Sequence, residues 1–133
     1  RQRQMCIRDR NMGDMITFTG YCNNPIDFIN AADIFALPSV ANEDMPLVIL
    51  SAMKLGKPIV ATNFAGIQEE IESGVSGILI EPNEQTIVDN LVHALIEMSH
   101  CNNIWGKNAQ VRYEELFSPK IYERKLLEIY SKS

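Results

Sequence analysis

Glycine-rich phosphate turns, paired cysteines and long apolar runs are all missing from this chain of 133 residues. No GxGxxG follows an early β-rich run, so the ordinary dinucleotide fingerprint is excluded. Cys6, Cys22 and Cys101 are odd in number and none falls in a CxxC. That spacing favours free thiols in a reducing, cytoplasmic setting over a disulfide framework or a zinc site. No apolar stretch approaches the ~18 residues of a membrane span, and the start carries no signal-peptide pattern. Positive charge is scarce: 12 Lys and Arg stand against 17 Asp and Glu, a net −5. A surface of that sign repels phosphate, which argues against nucleic acid as a partner.

What remains has globular character. Hydrophobic residues make up 46% and charged residues 22%, values that exclude disordered and collagen-like classes. The length suits one domain. The opening RQRQMCIRDR departs from the rest, with four arginines against one aspartate. The string resembles translated sequencing-adapter sequence, so residues 1–11 are expected to be a non-native leader, set aside from fold reasoning. A basic arm for an acidic partner is the other reading.

Behind the leader, short apolar runs alternate with helical patterns, as in βα units around a parallel sheet. The runs MITF (15–18), DIFAL (33–37), PIVA (58–61) and GILI (77–80) predict four strands. DIFAL and PIVA lack alternation, as strands covered on both faces do. Helices are predicted over 25–31, with Asn24 as N-cap, over 46–55, stopped by Gly56, and over 67–72. In 84–99, Ile87, Val88, Leu91, Val92, Leu95 and Ile96 trace one apolar face. Segments 104–117 and 119–130 complete a helical tail, broken at Ser118-Pro119. The fold class is therefore α/β, a partial Rossmann-like domain. A complete doubly wound domain has about six strands, so the expectation is a domain lacking its front. Trp105, Tyr113, Phe117, Tyr122 and Tyr130 are expected mostly in core packing, and His93 and His100 as structural or exposed.

The loop PSVANED joins DIFAL to the helix at Pro46. This puts Glu43 and that helix's N-terminus at the carboxyl end of a parallel strand, the usual ligand crevice. The first helical amides have no intrahelical acceptor and suit a phosphate. A second crevice loop, 62–66, follows PIVA, and Gly66 permits close backbone approach there.

In order and in register over residues 15–83, FTG, ADIFALPS, ExxPLVILxAMxxGKPIVAT, AGIxE and GVSGILIEP resemble the C-terminal, donor-binding domain of retaining GT-B glycosyltransferases of the family 4 group. The resemblance implies that residues 12–133 are an incomplete C-terminal domain of a longer enzyme, whose acceptor-binding domain is absent. It implies a nucleotide-diphosphate sugar as substrate, no cofactor and no metal, and peripheral membrane association only through the missing parts. Glu43 matches the glutamate that meets the donor sugar near the reacting centre. Met45, Pro46, Leu47 and Val48 match the backbone around the diphosphate, and Gly20, Tyr21 and Cys22 fall where relatives hold the nucleobase. Gly66 and Glu69 match a further donor-site loop and helix.

Two positions depart from the pattern. Ser51 stands where the family's second glutamate accepts the ribose hydroxyls. A hydrogen bond to a charged group is worth ~1.5–3 kcal/mol, so its loss weakens donor binding about ten- to hundred-fold. Asp44 replaces a common glycine, where it either repels the diphosphate or caps the helix. Transfer of a hexose from a nucleotide sugar is the expected function, with this portion inactive alone. The alternative is a non-catalytic binding or scaffolding domain that has lost the Ser51 glutamate.

Overall fold

The computed structural model describes residues 15–40, 44–100 and 104–131. The leader, Glu43 and Cys101 lie outside them. The elements run α1 (Pro25–Ala31), β1 (Phe35–Leu37), α2 (Leu47–Lys54), β2 (Ile59–Thr62), α3 (Ile67–Glu70), β3 (Ile78–Ile80), α4 (Ile87–His100), α5 (Ile104–Leu116) and α6 (Pro119–Ser131). This is the α/β class with a helical tail. Among the described residues no helix is long and apolar enough to cross a membrane.

Proline and glycine set the local boundaries. Pro25 opens α1 at a position where no amide is needed. The Asn24 side chain does not cap that helix; its Nδ2 donates instead to Asp27 Oδ2 at 2.5 Å. Pro46 occupies the cap of α2 rather than its first turn. At the other end Gly56, at φ 65°, donates to Met53 O at 2.9 Å while Lys57 donates to Ala52 O at 3.0 Å. These two bonds form a Schellman stop, which needs a left-handed residue and so favours glycine.

The sheet is parallel in the order β1-β2-β3, pairing Phe35 with Ile59 and Val60 with Ile78. β2 is central and every residue in it is buried. Its side chains alternate between two cores, as the period of a strand requires. Ile59 and Ala61 join Ile29, Ile49, Met53, Ile67, Ile71, Ala109 and Tyr113, from α1, α2, α3 and α5. Val60 joins Ile80, Ala94 and Met98 on the face covered by α4. α2 and α5 meet where Gly106 faces the backbone: a Cβ there would stand 2.0 Å from Gly56 O.

Beyond the Asn24 cap and the helix over 67–72, which ends at Glu70, three further expectations change. Residues 15–18 are not a strand, and Met15 is 83% exposed. β-formers without a neighbouring strand to pair with gain nothing from extended backbone, so the described sheet has three strands rather than four. β1 is an edge strand with Ala36 exposed, not one covered on both faces. Tyr113 is buried, and Trp105 and Phe117 pack against the two cores, but Tyr122 and Tyr130 are exposed on α6, which buries none of its residues.

Candidate functional site

Parallel strands present their carboxyl ends at one edge of a sheet. β1 ends at Leu37 and β2 at Thr62, so the loops carrying the predicted donor residues emerge side by side. Side chains tie them together. The buried Thr62 hydroxyl donates to Ser39 O, linking the loops after β1 and β2. Asn63 N donates to Ile80 O at 2.7 Å and its Nδ2 to Glu81 Oε1 at 3.3 Å, drawing in the loop after β3.

The α2 N-terminus forms one wall. Ile49 N donates to Pro46 O at 2.8 Å, leaving Leu47 and Val48 as the helical amides without intrahelical acceptors. No acidic side chain lies in this first turn and none caps it, so its positive end is not offset locally. The exposed Asp44 therefore does not cap the helix. Leu47 is 73% exposed, Met45 is exposed and Pro46 half-buried, whereas Val48 packs against the core. One turn on, the half-buried Ser51 donates its hydroxyl to Leu47 O at 3.1 Å. Its proton is thus used within the helix, while the oxygen can still accept.

The loop after β2 forms the other wall. Phe64 N donates back to Thr62 O at 2.9 Å, and Ala65 adopts φ 43°, the left-handed region that disfavours a Cβ. Gly66 has ordinary helical φ. What excludes a side chain there is contact: a Cβ would lie 2.0 Å from Asp44 O and 3.5 Å from Met45 Cβ. The structure thus brings Gly66 together with residues 44–45, backbone against backbone, and the close approach is to protein rather than to open crevice.

α3 carries two adjacent glutamates with opposite surroundings. Glu69 is exposed. Glu70 is fully buried, and no group among the described residues hydrogen-bonds either carboxylate oxygen. Burial without a partner disfavours the charged form and pushes its pKa up to about 7. Arg112 of α5 reaches the same short helix through the carbonyls of Glu69 and Glu70. Sequence reading singled out neither Glu70 nor Arg112, and it placed Thr62 in the second crevice loop without a role.

Other candidates stand apart from these contacts. Gly20, at φ 64°, has open space around it; Tyr21 is 94% exposed and Cys22 half-buried with a free thiol. Glu43 lies outside the described residues. His93 and His100 are exposed. A hollow of about 460 Å³ lies at the amino ends of the strands, lined by Asp33, Lys57, Lys107 and Gln110 among others, and holds no predicted donor residue.

A family model described as glycosyl transferases group 1 matches residues 1–98. The chain is 32% identical over 104 residues to an Escherichia coli UDP-Gal:alpha-D-GlcNAc-diphosphoundecaprenol alpha-1,3-galactosyltransferase, covering 77% of this chain and 26% of that protein. Its fold matches Anabaena HepE solved with UDP, with a TM-score of 0.85 at 27% identity, over 99% of this chain and 36% of that one. The HepE complex with UDP-glucose matches with a TM-score of 0.82 over the same shares. The chain therefore spans about a quarter to a third of the length of these relatives.

Proposed function

The chain belongs to the group 1 glycosyltransferases, and from that premise we propose that it is the donor-binding part of a retaining enzyme that transfers a hexose from a nucleotide-diphosphate sugar. The observation that carries this reading is the meeting of the α2 entry and the α3 loop at Gly66 and Asp44, in a chain that superimposes over almost its whole length on a UDP-glucose complex. In this reading the diphosphate sits against the backbone of Met45, Pro46, Leu47 and Val48, where unpaired amides and the helix end stabilise negative charge. Glu43 meets the donor sugar, Ser51 faces the ribose, and Gly20, Tyr21 and Cys22 border the nucleobase. Gly66 and Glu69 complete the crevice.

The chemistry asked of these residues is modest. As the sugar–phosphate bond breaks, charge builds on the leaving diphosphate, and oriented amides stabilise it without rearranging. The acceptor, held by a domain outside this chain, attacks on the same sugar face. Positioning and electrostatics supply the rate, with no metal needed. The chain alone holds donor without transferring it.

A second reading, a non-catalytic relative, is favoured by Ser51, whose hydroxyl is already engaged with Leu47 O. Calorimetric titration of UDP-glucose into the chain and into Ser51→Glu tests the donor site that both readings share. The same substitution in the full-length protein separates them: lost transfer marks an enzyme adapted to serine, whereas a gain in affinity with no transfer beforehand marks the non-catalytic relative. A carboxylate at position 51 accepts both ribose hydroxyls, so the expected gain in affinity is about tenfold or more. Weak binding by the chain that tightens in the variant, with no transfer by either, supports a donor domain with a weakened ribose contact. No binding of UDP-glucose or a GDP-hexose by either protein overturns the donor reading.

A further inference from the structure

α5 extends side chains to three separate places on the domain. Asn108 Nδ2 donates to Val75 O at 2.9 Å, and Gln110 Nε2 donates to Lys54 O at 3.2 Å. Arg112 directs its whole fork at α3 and at Glu72, two residues beyond it. Nε donates to Glu70 O at 2.8 Å, Nη2 to Glu69 O at 3.0 Å, and Nη1 to Glu72 Oε2 at 3.2 Å. The Glu72 side chain is 57% exposed, so the ion pair itself contributes little. The two carbonyl contacts, reached by a half-buried guanidinium, are the substance of the arrangement.

α3 needs them. Four residues are too few to sustain a helix alone, and its last carbonyls have no donors within it. Arg112 supplies those donors from another helix. The buried carboxyl of Glu70 opposes it, since that group gains hydration whenever α3 swings outward. At its other end α3 begins at Gly66, seated on the Asp44 carbonyl too closely for a Cβ. α3 is therefore a strut, anchored behind by Arg112 and pressed in front against the backbone that enters α2.

We infer that Arg112 is a positioning residue for donor binding: through α3 it fixes where Gly66 meets Asp44, and so sets the backbone of Met45 to Val48. The inference rests on the donor reading above. Its test combines amide hydrogen exchange with UDP-glucose titration for wild type, Arg112→Ala and Arg112→Lys. Two amides report on the strut, one on the α2 entry and one on the far end of α2. Glu69 and Ile71 amides are bonded to Gly66 O and Ile67 O, and the Ile49 amide to Pro46 O at the α2 entry. The Lys57 amide, bonded to Ala52 O, reports on the far end of α2.

Arg112→Ala is expected to speed exchange at Glu69, Ile71 and Ile49 about tenfold or more, leave Lys57 unchanged, and weaken UDP-glucose about tenfold. Arg112→Lys restores part of each effect, because an ammonium is one point donor in place of a planar fork. Faster exchange at Glu69 and Ile71 with Ile49 unchanged overturns the inference, as does unaltered UDP-glucose affinity in Arg112→Ala. If exchange rises at Lys57 as well, the alanine variant has loosened the whole domain, and Arg112→Lys decides by the same criteria. A wild-type chain that fails to bind UDP-glucose overturns the donor reading instead, and the Ile49 exchange then decides whether Arg112 governs the α2 entry.

Discussion

Replacing Glu70 with glutamine or leucine should make the domain more stable, and more so as pH rises. The carboxyl is fully buried, neither oxygen has a partner, and its pKa stands at about 7 against 4.5 for a free glutamate. Below pH 4.5 the group is protonated in both the folded and unfolded chain, so it imposes no ionisation cost. Between 4.5 and 7 the unfolded chain ionises while the folded one does not, and folding loses stability progressively. Above 7 the loss is complete, at about 3 kcal/mol. Glu70→Gln removes the titration and keeps a polar side chain of similar size. Glu70→Leu also suits the apolar neighbours Ile67 and Ile71, which are buried beside it in sequence. Urea denaturation of the three proteins at pH 5 and pH 8 measures the effect. The gap between wild type and Glu70→Gln should widen by roughly 2–3 kcal/mol from the lower pH to the higher. Taking the difference between these two proteins cancels the other carboxylates, which titrate in both. A gap that is the same at both pH values would refute the reasoning, because it would mean that the carboxyl reaches water or a partner in solution.

Two further substitutions test the backbone. Ala65→Gly relieves a left-handed φ of 43° and should raise the urea midpoint by an amount equivalent to about 1 kcal/mol; an unchanged midpoint means that the loop holds no strain at this residue. Gly106→Ala places a Cβ 2.0 Å from Gly56 O, forcing α5 away from α2 at a cost of about 1–3 kcal/mol or more. A melting temperature equal to wild type would show that the two backbones are not in contact.

The sequence was most legible where a cue and its effect are neighbours. Pro25, Gly56 and Ser118-Pro119 mark boundaries within a residue or two, and the apolar spacing of 84–99 located α4 as a helix, but not its inner face. Ile87, Leu91 and Leu95 pack against the core, Val88, Val92 and Ile96 are exposed, and the buried residues are Ala94 and Met98. Strands were harder, because a strand is completed by its partner. MITF has the composition of one, yet no described strand lies beside it. The same limit hid Glu70. It stands in the acidic run EEIE beside two exposed glutamates, and a helix of four residues is too short for periodicity to show which side chain turns inward. Arg112 reads as one more surface charge until its partners, some 42 residues earlier, are brought to it. The candidate crevice was located by strand-and-loop order, but the contact between Gly66 and Asp44 was not. An invitation to close approach does not say which atom will approach.

The reach of α5 has a consequence in time. The carbonyls it holds are made well before their donors: Val75 precedes Asn108 by 33 residues, Glu70 precedes Arg112 by 42, and Lys54 precedes Gln110 by 56. At ribosomal rates the longest of these intervals is roughly 3–11 s. For that period the strands and the α2 entry exist while the clasps that hold them are still unsynthesised. The candidate crevice is thus made before the side chains that clasp the segments around it.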